Sequence, residues 1–348
     1  MKVLFLLADV FSYNISVISA LKNNYSYDVH LIHWGNNAGS ISHLKYYNPN
    51  FNVYKKPSDF KSLSSLVDEI DAKVIVISGW LDLSYLAVAL KYRTKGYKVI
   101  CCMDTQYTNS FKQKLGSFIF NINTFRRLFF TNVWIPGFPQ FEAAIRFGFN
   151  YSEIIFCLLS GDTNVFSNRS IVRTKTRKFL FVGRLEKVKG IDQLIDAWNH
   201  ISKLYPDWEL VVAGEGSLKS EIMQLKNVIH KGFLNPYEVS SIMNECDCLL
   251  LPSNYEPWGL VIHEAVLCGL PIICTENCGA SSVFLIDKYN GFVIKEGQRD
   301  SLYDCMIKFI NLGDDDFINF SSRSVELGSQ ISTDISAAHF NSKMFINE

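Results

Sequence analysis

The sequence carries no net charge, no long apolar run, no internal repeat and no low-complexity segment. Lys plus Arg and Asp plus Glu each number 34, so nothing draws the chain as a whole to nucleic acid or to an anionic membrane. Electrostatic targeting, if any, must come from a local patch. No stretch reaches the ~20 apolar residues of a spanning helix. KVLFLLAD at the amino end is too short for the apolar core of a signal peptide and lacks a small-residue cleavage site, so it reads as a buried first strand. The cysteines do not form a paired framework either. Their number, nine, is odd, and most sit in apolar runs such as VICCMD, CDCLLL and PIICTE. Cys274 and Cys278 have no second pair at zinc-finger spacing, so buried thiols in a reducing compartment are expected, and no metal. The protein is expected in the cytoplasm.

What is present is a globular composition, 48% hydrophobic and 20% charged, over 348 residues, long enough for two domains. Short apolar runs alternate with helix-length segments. Strands are expected at 2–7, 28–33, 73–78, 98–103, 132–135 and 153–157, with helices such as 58–70 and 83–95 between them. The polar stretch 158–178 reads as a linker. A second series follows, at 178–182, 208–213, 227–231, 248–251, 271–274 and 291–294. Apolar strands alternating with helices predict parallel sheets covered on both faces. The expected fold is therefore α/β, with two doubly wound Rossmann-like domains over 1–160 and 161–325 and a helical tail over 326–348 that returns to the first domain. Ligands of such sheets bind beyond the carboxyl ends of the strands.

Three segments just after second-domain strands carry candidate chemistry. In FVGRLEKVKG, Gly183 permits a tight turn, and Arg184 and Lys189 are cations suited to phosphate oxygens at a helix start; a solvated turn is the plainer reading. In VVAGEGSLKSEI, Gly214 and Gly216 open like a dinucleotide fingerprint, but the third glycine is missing. In LLLPSNYEPWGLVIHEAVLCGLPII, Glu256 and Glu264 stand eight apart. A helix is expected from about Trp258, with Pro257 leading it, so that the amides of Gly259, Leu260 and Val261 face an anion. A carboxylate at such a place makes sense if Glu256 accepts hydroxyl hydrogen bonds from a sugar held against phosphates.

In order, FVGRLEKVKG, VVAGEGSL, HKGFL, the E-x7-E segment and NGFVI resemble the donor domain of retaining GT-B glycosyltransferases, the large family of sucrose synthases, mannosyltransferases and bacterial polysaccharide enzymes. SGDTNVF, at the domain junction, resembles that family's junction too, and the matching runs from about 160 to 294. The resemblance implies two domains facing across a cleft and retention of anomeric configuration without a metal or cofactor. It implies that Arg184 and Lys189, beside Gly183, hold the donor diphosphate, that Glu256 contacts the transferred sugar and that Glu264 binds the ribose. Gly259, Leu260 and Val261, with Trp258 beside them, match the segment at the phosphates and sugar, and Phe233 and Leu234 the place where the base packs. The partners implied are a nucleoside diphosphate sugar and a glycan or lipid-linked acceptor, with no nucleic acid.

The first domain departs from the pattern. Its first loop, ADVFSYNIS, lacks the paired glycines of many members, and no histidine stands between His43 and His200. Asp104 occupies the place of the histidine that many members carry near the transferred sugar. From 105 to 141 there is no acidic residue, but Lys112, Lys114, Arg126 and Arg127 are present. Leu115, Phe118, Ile119, Ile122, Phe125 and Phe129 share one helical face, which suits either packing on the first sheet or peripheral contact with the inner membrane surface. Two other readings remain open: a nicotinamide-dependent oxidoreductase, resting on Gly214 and Gly216, and a catalytically silent sugar-binding subunit, resting on the missing first-loop glycines.

Overall fold

A computed structural model describes residues 1–35, 47–121, 126–167, 173–295 and 301–344. The chain forms two compact units, Met1–Ser160 with Ile331–Glu348, and Gly161–Gln330.

The first unit runs β1 (Lys2–Leu7), α1 (Ser12–Tyr25), β2 (Asp28–His33), β3 (Asn52–Lys55), α2 (Phe60–Ile70), β4 (Val74–Ile77), α3 (Leu83–Thr94), β5 (Lys98–Cys102), α4 (Phe111–Asn121), β6 (Asn132–Trp134), α5 (Phe138–Arg146) and β7 (Ile154–Ile155). Its strands lie in the order β3-β2-β1-β4-β5-β6-β7, all parallel. Continuous apolar strands feed two cores at once, because successive side chains point to opposite faces. Leu4, Leu6, Ile75 and Ile77 pack with Leu63 and Val67 of α2 and with Tyr85 and Val88 of α3. Val3, Phe5, Val74 and Val76 pack on the other face with Ile15, Ile18 and Leu21 of α1.

The second unit runs β8 (Lys178–Val182), α6 (Ile191–Leu204), β9 (Glu209–Ala213), α7 (Lys219–Met223), β10 (Val228–Gly232), α8 (Pro236–Glu245), β11 (Cys248–Leu251), α9 (Leu260–Leu267), β12 (Ile272–Thr275), α10 (Ser281–Phe284), β13 (Gly291–Ile294), α11 (Leu302–Ile310) and α12 (Asp314–Gly328). Its sheet order is β10-β9-β8-β11-β12-β13, again parallel. The last helix, α13 (Thr333–Ser342), belongs to the first unit. There Phe340 is fully buried between Phe5 and Trp134, and Tyr27 donates to Asn341 over 2.6 Å.

The fold departs from the sequence expectations at several places. Strand β3 was not anticipated: it is a four-residue strand with polar ends, at the edge of the sheet among the described residues and paired with β2. The second unit extends past 325 to Gln330, because α12 runs unbroken to Gly328. The described parts of the 158–178 stretch are not a free linker. Val165 and Phe166 are buried, and the buried Arg173 guanidinium caps the carbonyls of Cys268 (2.8 Å), Met243 (3.0 Å) and Cys246. Its polar composition reflects side chains that satisfy backbone groups inside the unit. Among the described residues, no helix is long and apolar enough to cross a membrane.

Candidate active site

In each sheet the strand order reverses direction between two central strands, β1 and β4 in the first unit and β8 and β11 in the second, where an open α/β sheet leaves a crevice for ligands. The loops after β8 and β11 meet there. Gly190 closes the first loop at φ +70°, and a Cβ on it would stand 1.8 Å from the Pro252 carbonyl oxygen, so only glycine allows this approach. The amide of Asn254 donates to Val188 O over 2.9 Å, and its side chain to Lys187 O over 2.8 Å. The result brings Lys189 onto Glu256. Their side chains form an ion pair, with 16% and 11% of their surfaces exposed.

Glu256 is held from behind as well. Its amide donates to Asn277 O (3.2 Å), and its carbonyl accepts from Gly279 (3.1 Å). Helix α9 begins at Leu260 rather than at Trp258, with Gly259 as its cap at φ +85°. There Trp258 O is bound to the Ala280 amide (2.7 Å) rather than to the helix. A Cβ on Gly259 would lie 2.9 Å from Glu256 Cγ, so the cap and the carboxylate are neighbours. Leu260 and Val261 occupy the first turn, whose amides have no intrahelical acceptor. Trp258 itself is 2% exposed, with its ring edge-on to Phe284. That ring is core.

A second cluster lies over β8, β9 and β10. Gly183, Arg184, Phe233 and Leu234 line a pocket of about 320 Å³ together with Gly214, Glu215 and Val239. Arg184 is exposed and Phe233 is 65% exposed. The glycines of the GEG segment are explained by packing between loops. A Cβ on Gly214 would meet Gly183 O at 1.8 Å, and one on Gly216 would meet Leu185 O at 2.4 Å. Leu185 N donates to Glu215 O over 3.0 Å. The feature that supported an oxidoreductase is thus a loop-to-loop contact.

A third cluster surrounds Glu264 in α9. Burial, and next the charge of Asp162, push its carboxyl up to about 8. The SGD segment packs against this helix: a Cβ on Gly161 would lie 2.9 Å from Leu267 and 3.5 Å from Glu264 Cγ. Gly161 N donates to His263 Nδ1 (2.9 Å), and His263 Nε2 lies 3.0 Å from Gly328 O. Since an amide can only donate and a carbonyl only accept, this fully buried imidazole carries its proton on Nε2. It ties the two ends of the second unit to α9. Sequence reading gave His263 no role; its place between two apolar residues, Ile262 and Ala265 being one and two positions away, made it look like any core residue.

The raised carboxyl of Glu264 has a stability consequence. A folded-state value above the ordinary one favours the fold at low pH, and that contribution is lost as pH rises from about 4.5 to about 8. Glu264→Gln removes the titration. Thermal unfolding of both proteins should show the Gln variant gaining on the native chain across that window; a constant difference would mean that Glu264 ionises normally.

In the first unit, Asp104 is exposed and lines a separate pocket beyond β1, β4 and β5, of about 310 Å³, with Asp9, Tyr13, Asn14, Ser78 and Trp80 among its walls. The ADVFSYN loop thus supplies polar groups where glycines were looked for. Cys274 and Cys278 are buried, and Cys278 Sγ lies 3.6 Å from Thr275 Oγ1. The described residues include no cluster of three or more His, Cys, Asp or Glu arranged to hold a metal.

Residues 162–320 match the family model of the glycosyl transferases group 1. That region, most of the second unit, is similar to the group 1 glycosyl transferases. Curated relatives align over part of the chain: a glycogen synthase of Mycobacterium tuberculosis is 32% identical over 126 residues, 34% of this chain and 30% of its own. The N-acetylgalactosamine-N,N'-diacetylbacillosaminyl-diphospho-undecaprenol 4-alpha-N-acetylgalactosaminyltransferase of Campylobacter jejuni is 30% identical over 141 residues, 38% of this chain and 37% of its own. The chain spans about a third of the length of the curated relatives it matches. The likeness to solved structures is longer. HepE of Anabaena, in complex with UDP-glucose, covers 99% of both chains at 18% identity and a TM-score of 0.76. The fold is therefore GT-B, α/β with two doubly wound sheets.

Proposed function

We propose that the protein is a cytoplasmic glycosyltransferase that moves a sugar from a nucleoside diphosphate sugar to an acceptor hydroxyl, with retention of configuration and without a metal, in the assembly of a bacterial polysaccharide or glycoconjugate. The observation that carries this reading is the Lys189–Glu256 pair beside the first turn of α9. It sets a cation and helix amides, which favour phosphate, next to a carboxylate, which favours sugar hydroxyls. The base rests in the pocket of Phe233 and Leu234, and Glu264 faces the ribose. When the bond from the anomeric carbon to the diphosphate breaks, its electron pair stays on the phosphate oxygen. Arg184, Lys189 and the α9 amides stabilise that charge. The acceptor oxygen bonds to the anomeric carbon on the same face, and its proton passes to the departing diphosphate. The acceptor, a glycan or a lipid-linked sugar, binds in the first unit's pocket, where Asp104 and Asp9 accept its hydroxyls. Nine free thiols suit the reducing cytoplasm.

The first test is binding. UDP, the nucleotide of the HepE complexes, should bind the native protein in calorimetric titration. Arg184→Ala should weaken it by ~1.5–3 kcal/mol, as for a hydrogen bond to a charged group, with the melting temperature unchanged, since Arg184 is exposed. Equal affinity in the variant would remove Arg184 from the site, and transfer to no acceptor by the native chain would leave the silent-subunit reading in its place.

A further inference from the structure

Helix α4 carries an apolar stripe that the proposed reaction does not use. Its inner side is seated on the first unit: Phe120 lies 5.6 Å from Trp80 and 5.7 Å from Phe147 between ring centroids, and a Cβ on Gly116 would contact Phe147 at 3.5 Å. The outer side should then be polar. Instead Phe111, Leu115, Phe118 and Ile119, at i, i+4, i+7 and i+8, are 80, 49, 65 and 43% exposed. Leu81 and Leu83, beside Trp80, are exposed as well.

Between residues 105 and 141, which include this helix, the charges have one sign. Arg126 does not belong to it, against the sequence expectation: it is buried over the Phe149 ring and paired with Glu153 at 2.9 Å. Burial of its long stem and a single acid from β7's flank turned it inward. Ile122 and Phe125, placed on the same face by sequence, lie outside the described residues. Lys112, Lys114 and Arg127 are exposed, and among the described residues none of the three makes an ion pair. Some other cations of the unit do have acids, as Lys91 and Lys95 have Asp68, and Arg146 has Glu142.

We propose that α4 docks the protein on an anionic membrane, lying in the plane of the interface. Bulky rings and aliphatic side chains would sit at the acyl boundary while the cations meet acidic headgroups. A helix of 11 residues is ~16 Å long, too short to cross. A second copy of the chain fits the surface poorly, because a symmetric contact would set the same cations against each other. The inference stands apart from the reaction, since its readout needs no substrate.

The test is flotation of the full-length protein with vesicles of phosphatidylcholine alone or mixed with phosphatidylglycerol, at low salt. The native protein should float with the anionic vesicles only, and added salt should release it. Phe111→Ser with Phe118→Ser should lower partitioning about tenfold or more, by the loss of buried apolar area. Lys112→Gln with Lys114→Gln and Arg127→Gln should lower it by about fivefold per cation. All five positions are exposed, so circular dichroism and melting should be unchanged. A native protein that stays with the unbound fraction overturns the proposal, as do variants that float as well as the native chain. So does a native dimer that the Phe111 and Phe118 changes dissociate while flotation persists, which would assign the stripe to self-association.

Discussion

Glu256→Gln is expected to lower turnover by ~10²–10³-fold, the usual effect of removing one preorganised electrostatic group, while affinity for free UDP holds or rises. The direction of the second effect comes from the ion pair. In the structure the Lys189 ammonium is bound to Glu256, and both are largely removed from water. A diphosphate arriving at Lys189 must share that cation with a carboxylate of its own sign. The amide side chain keeps the shape of the carboxylate and removes its charge, so phosphate then meets an uncontested lysine. The transferred sugar loses the acceptor that steadies its hydroxyls as positive charge builds on the ring. Lys189→Ala has the opposite signature, because it removes the cation between the Glu256 carboxylate and the phosphates and weakens UDP binding more than Arg184→Ala does. Steady-state rates and calorimetric affinities for the three variants check the assignment. Glu256→Gln with full turnover, or with UDP affinity reduced in parallel, would move Glu256 away from the sugar and onto the nucleotide.

How much of this could be read in the sequence depended on whether a feature is local. The strands of the second unit were legible because each is a continuous apolar run between turns: β8, β11 and β13 lie at the residues expected. The motif residues were legible as residues but not as clusters. Nothing in the spacing says that Lys189 and Glu256 touch, since they are 67 positions apart and meet only because Gly190 lets one loop settle on Pro252. Nor does composition tell that Arg173 and Arg126 face inward, because an arginine's role is fixed by the carbonyls and acids that the fold brings to it. The start of α9 was misplaced for a related reason. Proline favours a first helical position by its own geometry, but a long-range bond from the Ala280 amide engages Trp258 O instead. The pocket containing Asp104 was the least legible, as its walls come from four separate loops of one sheet.

Gly190→Ala tests the contact on which the site depends, and it should be among the most damaging single changes in the second unit. Two costs add. A side chain at φ +70° is strained wherever it stands, by ~1–2 kcal/mol, and here the new Cβ would also lie 1.8 Å from Pro252 O and 2.7 Å from Pro252 C. Those are backbone atoms, continuous with β11, so relief requires one loop to lift from the other. The summed cost is expected at ~2–4 kcal/mol, in the range of mutations with a named steric cause. Gly96→Ala provides the comparison, since Gly96 has φ +82° but nothing within 4 Å of its added Cβ; it should show the strain alone. The two variants also differ in function. Lifting the Gly190 loop draws Lys189 away from Glu256, so UDP affinity should fall with stability, whereas Gly96→Ala should leave affinity unchanged. Unfolding curves and UDP titrations of both variants decide the matter. If Gly190→Ala melts with Gly96→Ala and binds UDP normally, the two loops yield easily, and their docking cannot be what holds the lysine and the carboxylate together.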